Sequence, residues 1–509
     1  MPDFLKKRPM LLAALAVSAV SVISLYSETA LFVLSLGVLA LIFYLFYKRV
    51  KGELIFAAFL ILAVTVSAFL TAGKARTLEG YSGSDCTGEF IVSEEPQNHG
   101  DYYSATLETV KSDMLKSGEK LAVIYYKDDL KYAERVKARI SLKVSQEAVY
   151  KRMDYSNGVF VRGYIKELER TGKSDGVLSV VAGIRGYIRK TVFGNYSQSA
   201  AATVMALVAG DKSYLSDEFY SNVKGAGVAH VMVVSGMHLS VIVSLFLYLI
   251  NKLLYNRFLK AVIILFVTIS VMAVCGFTMS IIRAGITYII VALGLVLDRE
   301  NTPENTLGFA VVIILLINPF AIFNVAFLLS VLSTFAILVV AMPVTEFLSQ
   351  KRIIKSKLLL GILSSVIISI STLIFTAPVT VWIFGYLSTV SVITNLLIAT
   401  PASGVMIFCI LGFAFPFMDN VLFGASNIIA DFVNKVINYF GSLSFSTVEM
   451  PKWTAIVFVV LILIILYVLL ACKVRLNMLK LNEANLKRIK EGGNLINGIR
   501  FGTSPKKRN

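Results

Sequence analysis

The chain has 509 residues, of which 56% are hydrophobic and only 16% are charged, and its mean hydropathy is +0.75. These values exclude a soluble globular protein of this length and predict a polytopic α-helical membrane protein. The formal net charge of +17 does not by itself indicate a nucleic-acid partner, because membrane proteins concentrate lysine and arginine in cytoplasmic loops.

Three apolar segments open the chain, at residues 10–26, 31–47 and 54–72, and each is long enough to cross a hydrocarbon core of roughly 30 Å. Basic residues precede the first segment and separate the second from the third, whereas the first connection carries only Glu28. By the positive-inside rule the N-terminus is cytoplasmic and the third segment ends outside. We therefore expect residues 1–73 to form three transmembrane helices.

Residues 74–183 differ in composition, with short runs of alternating apolar and polar residues between Asn, Gly, Asp and Ser turns. This pattern predicts five or six strands, and an extracytoplasmic OB-like β-barrel closes with that number. Basic residues and tyrosines interleave in its second half, as in grooves that bind single-stranded nucleic acid. The alternative is a solvated sheet edge, because the segment is close to charge-balanced. The candidate DNA-binding residues are Lys131, Arg135, Lys137, Arg139 and Lys143.

Residues 184–472 predict a helical channel domain with about nine further spans, which makes about twelve in all. The start of this region, residues 184–208, has an apolar face and three basic residues, and fits either a helix on the outer membrane surface or a packed helix. Residues 419–440 predict an external amphipathic helix. The tail, residues 473–509, is basic and cytoplasmic, and its expected contact is anionic membrane lipid.

Residues 378–415 are apolar but interrupted by Pro378, Gly385, Pro401 and Gly404. Interrupted helices at membrane depth often line a transport path, because irregular backbone is tolerated there when it faces a cavity. Two kinked spans explain the same residues equally well.

The stretch from 206 to 249 carries two of the three histidines, His230 and His238, at the head of an apolar segment. Polar groups at membrane depth are costly unless they face a cavity or a partner, so a polar pathway competes with an internal hydrogen-bond network. A Ser235–His238 hydrolase lacks an orienting acid, and a histidine metal site lacks further ligands. We therefore expect no catalytic residues, no metal and no cofactor. Arg283 begins another span and either snorkels or contacts a passing phosphate.

The segment AGDKSYLSDEFYSNVKGAGVAHVMVVSGMHLSV resembles the signature of the ComEC competence family, and three later elements resemble that family in the same order. The family's members are membrane proteins through which single-stranded DNA is thought to enter bacteria. Asn318, Ala326 and Leu328 depart from its usual aspartate, glycine and glutamine. The residues that match its motifs are Gly210, Asp211, Gly227, His230, Ser235, Gly236, His238, Arg283, Asn395 and Pro401.

The resemblance implies a channel for uptake of single-stranded DNA across the bacterial cytoplasmic membrane during natural transformation, with both termini in the cytoplasm. No segment resembles the metallo-β-lactamase-like domain of many members, so we expect no enzyme activity and a separate nuclease. No P-loop is present, so a cytoplasmic helicase or other motor and a DNA receptor are expected partners. The alternative is a paralogous transporter or membrane structural protein for a non-DNA polar or lipid-linked cargo. The oligomeric state is left open.

Overall fold

The computed structural model describes residues 10, 14, 18, 52–98, 100–126, 130–144, 148–232, 236–299, 302–350, 356–469 and 471. The first two predicted spans, apart from Met10, Ala14 and Ser18, and the basic tail lie outside the described residues. The third predicted span is a helix, α1 (Gly52–Glu79), which leads directly into a strand domain.

The strand domain contains six strands and one helix. Its helix α2 (Ala148–Ser156) lies between the fifth and sixth strands. The strands are β1 (Asp85–Val92), β2 (Gln97–Asn98), β3 (Tyr103–Ser112), β4 (Lys120–Tyr125), β5 (Glu134–Lys143) and β6 (Val159–Lys173).

Strand pairing in this domain runs in a circuit. β1 pairs antiparallel with both β3 and β5, β5 pairs with β6, β6 runs parallel to β4, and β4 pairs with β3. Alternate residues are buried along the strands, as in Leu121, Val123 and Tyr125 of β4, so the period-2 pattern is confirmed. The short β2 pairs only with the start of β3.

The remaining described residues are mostly helical and include a two-stranded sheet of β7 (Tyr386–Ser388) and β8 (Thr447–Glu449). The helices before residue 300 are α3 (Val177–Asn195), α4 (Gln198–Val208), α5 (Asp217–Gly225), α6 (Ala229–Met232), α7 (Gly236–Leu253), α8 (Arg257–Val274) and α9 (Met279–Leu297). The later helices are α10 (Pro303–Ile317), α11 (Val325–Ala336), α12 (Met342–Gln350), α13 (Lys357–Phe384), α14 (Ser391–Ala414), α15 (Asp419–Gly441) and α16 (Thr454–Leu469).

Seven helices among the described residues are long and apolar enough to cross a membrane, which makes the chain a membrane protein. This number does not confirm the predicted total of about twelve spans. A π-helical turn, Ile337–Ala341, joins α11 to α12 within one candidate span. The seven candidates are Ile61–Glu79, Gly236–Leu253, Arg257–Val274, Met279–Leu297, Val325–Gln350, Lys357–Phe384 and Ser391–Ala414.

The segment at 184–208 is split between two helices of different character. The hydroxyl of Ser197 accepts a hydrogen bond from the Ala200 N–H, which caps α4 and ends the continuity with α3. All residues of α4 from Ala200 to Val208 are buried, whereas α3 keeps an exposed apolar row that includes Tyr187. The surface-helix interpretation therefore fits α3, and the packed-helix interpretation fits α4.

The prolines of residues 378–415 do not end helices. Pro378 lies inside α13 and Pro401 inside α14, and the chain breaks instead at Gly385, whose φ is +76°. Near Pro378 the hydroxyls of Thr376 and Thr380 bond to carbonyls one turn earlier, as neighbouring Thr side chains often do in apolar helices. The prolines thus lie within two long helices, α13 and α14, both of which are candidate spans.

The amphipathic helix predicted at 419–440 is confirmed as α15. It packs along α14 through Phe423 and Ala430, and it bonds α4 through the Asn434 amide oxygen, which accepts from the Thr203 hydroxyl at 2.6 Å.

The strand domain meets the helical region where α2 contacts a short 3₁₀ turn, Pro319–Phe323. The Asn318 side-chain amide nitrogen donates to the backbone carbonyls of Tyr155 and Ser156, both at 3.0 Å. The ring of Tyr155 also packs against Phe320, with 5.4 Å between centroids. These contacts fix α2 against the helical region.

Candidate functional site

The glycine-rich turn at 225–227 is packed too tightly for side chains. Gly227 has a φ of +72°, and a Cβ at this position would lie 2.6 Å from the Cβ of Ser391. The hydroxyl of Ser388 donates to the Gly225 carbonyl at 2.8 Å, and that of Thr394 donates to the Ala226 carbonyl at 2.6 Å. The turn is therefore a fixed junction between α5 and the start of α14.

Gly210 and Asp211 form a separate turn after α4. Gly210 has a φ of +72°, and the buried Asp211 carboxylate accepts hydrogen bonds from the Ser213 backbone N–H and hydroxyl. Asp211 thus stabilises its own loop. Among the described residues, no group of three or more His, Cys, Asp or Glu side chains is arranged to hold a metal ion.

The two histidines occupy different environments. His230 lies on the short helix α6, is exposed, and hydrogen-bonds the backbone of Gly227. His238 lies in the first turn of α7 and is completely buried. Ser235 lies outside the described residues, so its place beside His238 in a polar pathway stays a prediction.

Arg283 is the best-defined polar group near the start of the candidate spans. Its side chain is only 8% exposed, and its Nε donates to the Ser330 hydroxyl at 2.8 Å. The Ser280 hydroxyl, one turn earlier on α9, bonds the same Ser330 oxygen at 3.1 Å. The arginine therefore faces inward and is not snorkelling to a surface.

Gly236, the first residue of α7, lies directly against this guanidinium. A Cβ added to Gly236 would be 2.8 Å from Arg283 Nη2 and 3.2 Å from the Cβ of Ala284. No carboxylate among the described residues lies within ion-pair distance of Arg283. A buried cation thus meets the positive N-terminal end of an 18-residue helix, which is an arrangement that favours an anion.

Three sequence elements far apart in the chain therefore converge. Sequence reasoning identified Gly236 and Arg283 separately and missed their contact, and it overlooked Ser280 and Ser330. The Ser-x-x-Arg spacing was the available signal for Ser280, because residues three apart share a helix face. Ser330 carried no such local signal.

Asn395 and Pro401 lie on α14 and take no described hydrogen bond to Arg283. The Asn395 side-chain oxygen is buried without a hydrogen-bond partner among the described residues. Pro401 lies within the helix, as noted above. Their proposed part in a pathway stays a prediction.

The predicted DNA-binding residues lie on or beside β5, and three of them are paired with acids. Arg139 contacts Asp85 at 3.0 Å, and Lys166 and Arg139 hold the pKa of the Asp85 carboxyl below its usual value. Lys131 and Lys143 are exposed. The two remaining ion pairs are Lys137–Glu89 at 3.8 Å and Arg135–Asp175 at 3.9 Å.

The described tyrosines of this segment are divided between buried and exposed positions. Tyr125 is buried and stacks on Tyr103, with 5.5 Å between centroids, and Tyr155 is buried at the junction with the helices. Tyr126 is exposed. The ion pairs are those expected of a solvated sheet edge, and a DNA-binding role for the β5 cations stays a prediction.

Comparison with protein families matches residues 207–475 to the family described as Competence protein. Searches of curated proteins and of solved structures found no match. The matched region covers more than half of the chain and contains the turn at 225–227, Gly236, Arg283 and Ser330. The chain therefore belongs to the Competence protein family.

Proposed function

We propose that the protein is a channel for uptake of single-stranded DNA across the bacterial cytoplasmic membrane. The observation that carries this proposal is Arg283, whose side chain lies buried at the N-terminus of α7 and, among the described residues, is hydrogen-bonded only to Ser330. Membership of the Competence protein family supports a role in DNA uptake or competence.

The physical argument rests on the cost of burying charge. An unpaired guanidinium in a low-dielectric site is expensive, so such a residue is retained where an anion or a wet path meets it. A phosphodiester supplies one negative charge per nucleotide, and the planar guanidinium is suited to phosphate oxygens. Because Nε is held by Ser330, the two Nη groups remain for a passing phosphate.

The strand domain fits the same proposal as an extracytoplasmic OB-like barrel. The circuit of pairings through five strands, with one parallel pair between β4 and β6, supports this assignment. In this scheme residues 1–73, 74–183, 184–472 and 473–509 are respectively the N-terminal spans, the external domain, the channel domain and a cytoplasmic tail. About twelve spans then place both termini in the cytoplasm. A receptor, a nuclease and a motor act as separate chains, and the protein itself is not an enzyme.

The second candidate is a paralogous transporter of a small polar or lipid-linked cargo. One observation favours it: the contacts of Arg283 found among the described residues are with Ser330 and Gly236, and none of these contacts is with a second cation. A long polyanion usually meets several positive charges along its path.

The test is uptake of labelled DNA by naturally transformable cells that lack the gene and carry wild-type, Arg283→Ala or Arg283→Lys copies. We expect Arg283→Ala to abolish uptake and Arg283→Lys to restore a small part, because lysine keeps charge without the fork geometry. Arg257→Ala is the matched control, since Arg257 pairs at the protein surface with Asp298. Normal uptake by the deletion strain, with protein levels verified in the complemented strains, contradicts the channel function.

A further inference from the structure

A set of cations that form no ion pair among the described residues lies outside the candidate spans, on α3 and the loop that follows α4. We name it the α3 patch and define it by Arg189, Lys190, Phe193, Lys212 and Tyr214. We propose that the α3 patch binds the backbone and bases of single-stranded DNA before the strand reaches Arg283. This inference rests on the proposed function and assigns the entry site to residues that the sequence analysis did not select.

The cations of the α3 patch differ from those of β5 in their partners. The Arg189 guanidinium donates to the Tyr214 hydroxyl at 3.3 Å, and Glu95 and Asp211 act on it electrostatically but form no ion pair with it among the described residues. Lys190 is exposed, Lys212 is half-buried, and neither has an ion pair or side-chain hydrogen bond among the described residues. By contrast, a carboxylate already neutralises each of Arg135, Lys137 and Arg139. The patch therefore offers its positive charge to an external anion.

Lys212 adds a second reason to expect an anion. Burial without a counter-ion lowers the pKa of its ammonium group, because the protein replaces water around the charge. A bound phosphate stabilises the protonated form and offsets this loss of hydration. The location of Lys212 on a loop, outside the seven candidate spans, leaves room for a ligand from the aqueous side.

Two aromatic rings accompany these cations. Phe193 and Tyr214 meet edge to face with 4.9 Å between centroids, and they remain 38% and 37% exposed. Single-strand binding sites combine a positive track for phosphates with aromatic rings on which bases stack. Tyr126 and Tyr164 of the strand domain are also exposed, but the cations beside them on β5 are paired with acids, so the α3 patch is the better site for a phosphate next to a stacked base.

The patch is also held between the strand domain and the helix that carries Arg283. On α3, Arg185 pairs with Glu95 at 3.4 Å and lies over the Tyr132 ring at 4.8 Å, which fixes the helix to the strand domain. At the end of α4, the Val208 carbonyl accepts from the Cys275 thiol at 3.6 Å, just before α9 begins. A strand bound at the patch thus lies near the start of the arginine helix.

The experiment measures binding of fluorescein-labelled oligo(dT) to the full chain in phosphatidylcholine nanodiscs by fluorescence anisotropy. The test variant is Arg189→Ala/Lys212→Ala, and the matched control is Lys137→Ala/Arg139→Ala, which removes two cations from β5. We expect the test variant to bind about tenfold or more weakly and the control to bind like wild type. Removing two phosphate contacts lowers the slope of log affinity against log salt by roughly 1.4.

Equal weakening in both variants, or unchanged binding by the test variant, overturns the α3 patch. If the test variant loses affinity only for vesicles containing phosphatidylglycerol, the patch is a lipid site and the proposal is likewise overturned. If the wild type and Arg189→Ala/Lys212→Ala bind oligo(dT) equally well, the α3 patch is wrong but the channel function still stands. If the wild-type protein binds no DNA and deletion of its gene leaves uptake normal, both proposals are overturned.

Lys212→Arg distinguishes a charge effect from a folding effect. Arginine keeps its charge at alkaline pH, so this variant retains binding when the pH is raised from neutral. Wild-type binding falls over the same range, because the lowered pKa of Lys212 lets its ammonium group lose a proton. Identical pH profiles for the two proteins contradict a direct role for Lys212.

Discussion

Arg283 and Ser330 are joined by a 2.8 Å hydrogen bond from Nε to Oγ, although 46 residues separate them along the chain. The bond ties α9 to α11 and turns the terminal nitrogens of the guanidinium toward Gly236. The bond to Ser330 therefore sets the direction in which the Nη groups of Arg283 point.

Replacing Ser330 with alanine removes the acceptor and leaves a buried Nε–H unsatisfied, which costs about 1–3 kcal/mol. We expect DNA uptake to fall severalfold, less than in Arg283→Ala, because the charge remains but its direction is lost. Ser330→Thr keeps the hydroxyl and most of the uptake. Ser333→Ala, on the same helix, is the control, and the measurement is uptake per unit of membrane-inserted protein. Equal effects of the two alanine variants contradict the positioning role.

Replacing Gly236 with alanine places a methyl group 2.8 Å from Arg283 Nη2. The guanidinium has to shift, and we expect uptake to drop about as far as in Arg283→Ala while the protein level stays near normal. Gly361→Ala is the matched control, because nothing lies within 4 Å of its added Cβ. Because alanine has a higher helix propensity than glycine, Gly361→Ala is expected to stabilise its helix by up to about 1 kcal/mol. Full uptake by Gly236→Ala would falsify the close contact.

Replacing Asn318 with aspartate tests the junction of the strand domain. The Nδ2 group that donates to the Tyr155 and Ser156 carbonyls becomes a carboxylate oxygen facing them. The change costs about 1–3 kcal/mol for each buried group left unsatisfied, and we expect faster hydrogen exchange in α2. Asn324→Asp is the control, since it loses one exposed bond to Asn157 and keeps its helix cap. If hydrogen exchange in α2 is equally fast in Asn318→Asp and Asn324→Asp, the contact of the Asn318 amide with α2 is contradicted.

Cys86 is predicted to be inert in the folded protein. Its thiol is fully buried in the strand domain, and burial raises its pKa to about 11. Because the folded-state pKa is raised, the thiolate is scarce at neutral pH and increases only as the pH approaches that value. Maleimide labelling at neutral pH should therefore require denaturant, whereas Tyr126→Cys, at an exposed position of the same domain, labels at once. Rapid labelling of Cys86 in the native protein contradicts the burial.

The elements that the sequence predicted well are those with a strong local pattern. Alternation identified the strands, and the 3.6-residue period identified α15 almost to the residue. The prolines left two interpretations of residues 378–415 open, because the sequence does not show that packing in an apolar environment sustains a helix through Pro378 and Pro401. Local preference was overridden there by tertiary contacts.

The candidate site was only partly accessible to sequence reasoning. Arg283 was selected because a charge within an apolar segment is rare, but its partner Ser330 is distant in sequence and chemically ordinary. The basic run of β5 was selected by composition, and its neutralisation by Asp85 and Glu89 depends on strand register. Register between strands far apart in the chain cannot be read from either strand alone.

The amide of Asn318 has a mechanical consequence. Asn318 is hydrogen-bonded to the strand domain and lies twelve residues before Ser330. The chain between Asn318 and Ser330 consists of a short 3₁₀ turn and the first turns of α11. Short helical segments capped by Asn318 and Asn324 transmit displacement instead of absorbing it. We therefore expect a displacement of the strand domain to shift α11 and, with it, the Ser330 hydroxyl that orients the Arg283 guanidinium.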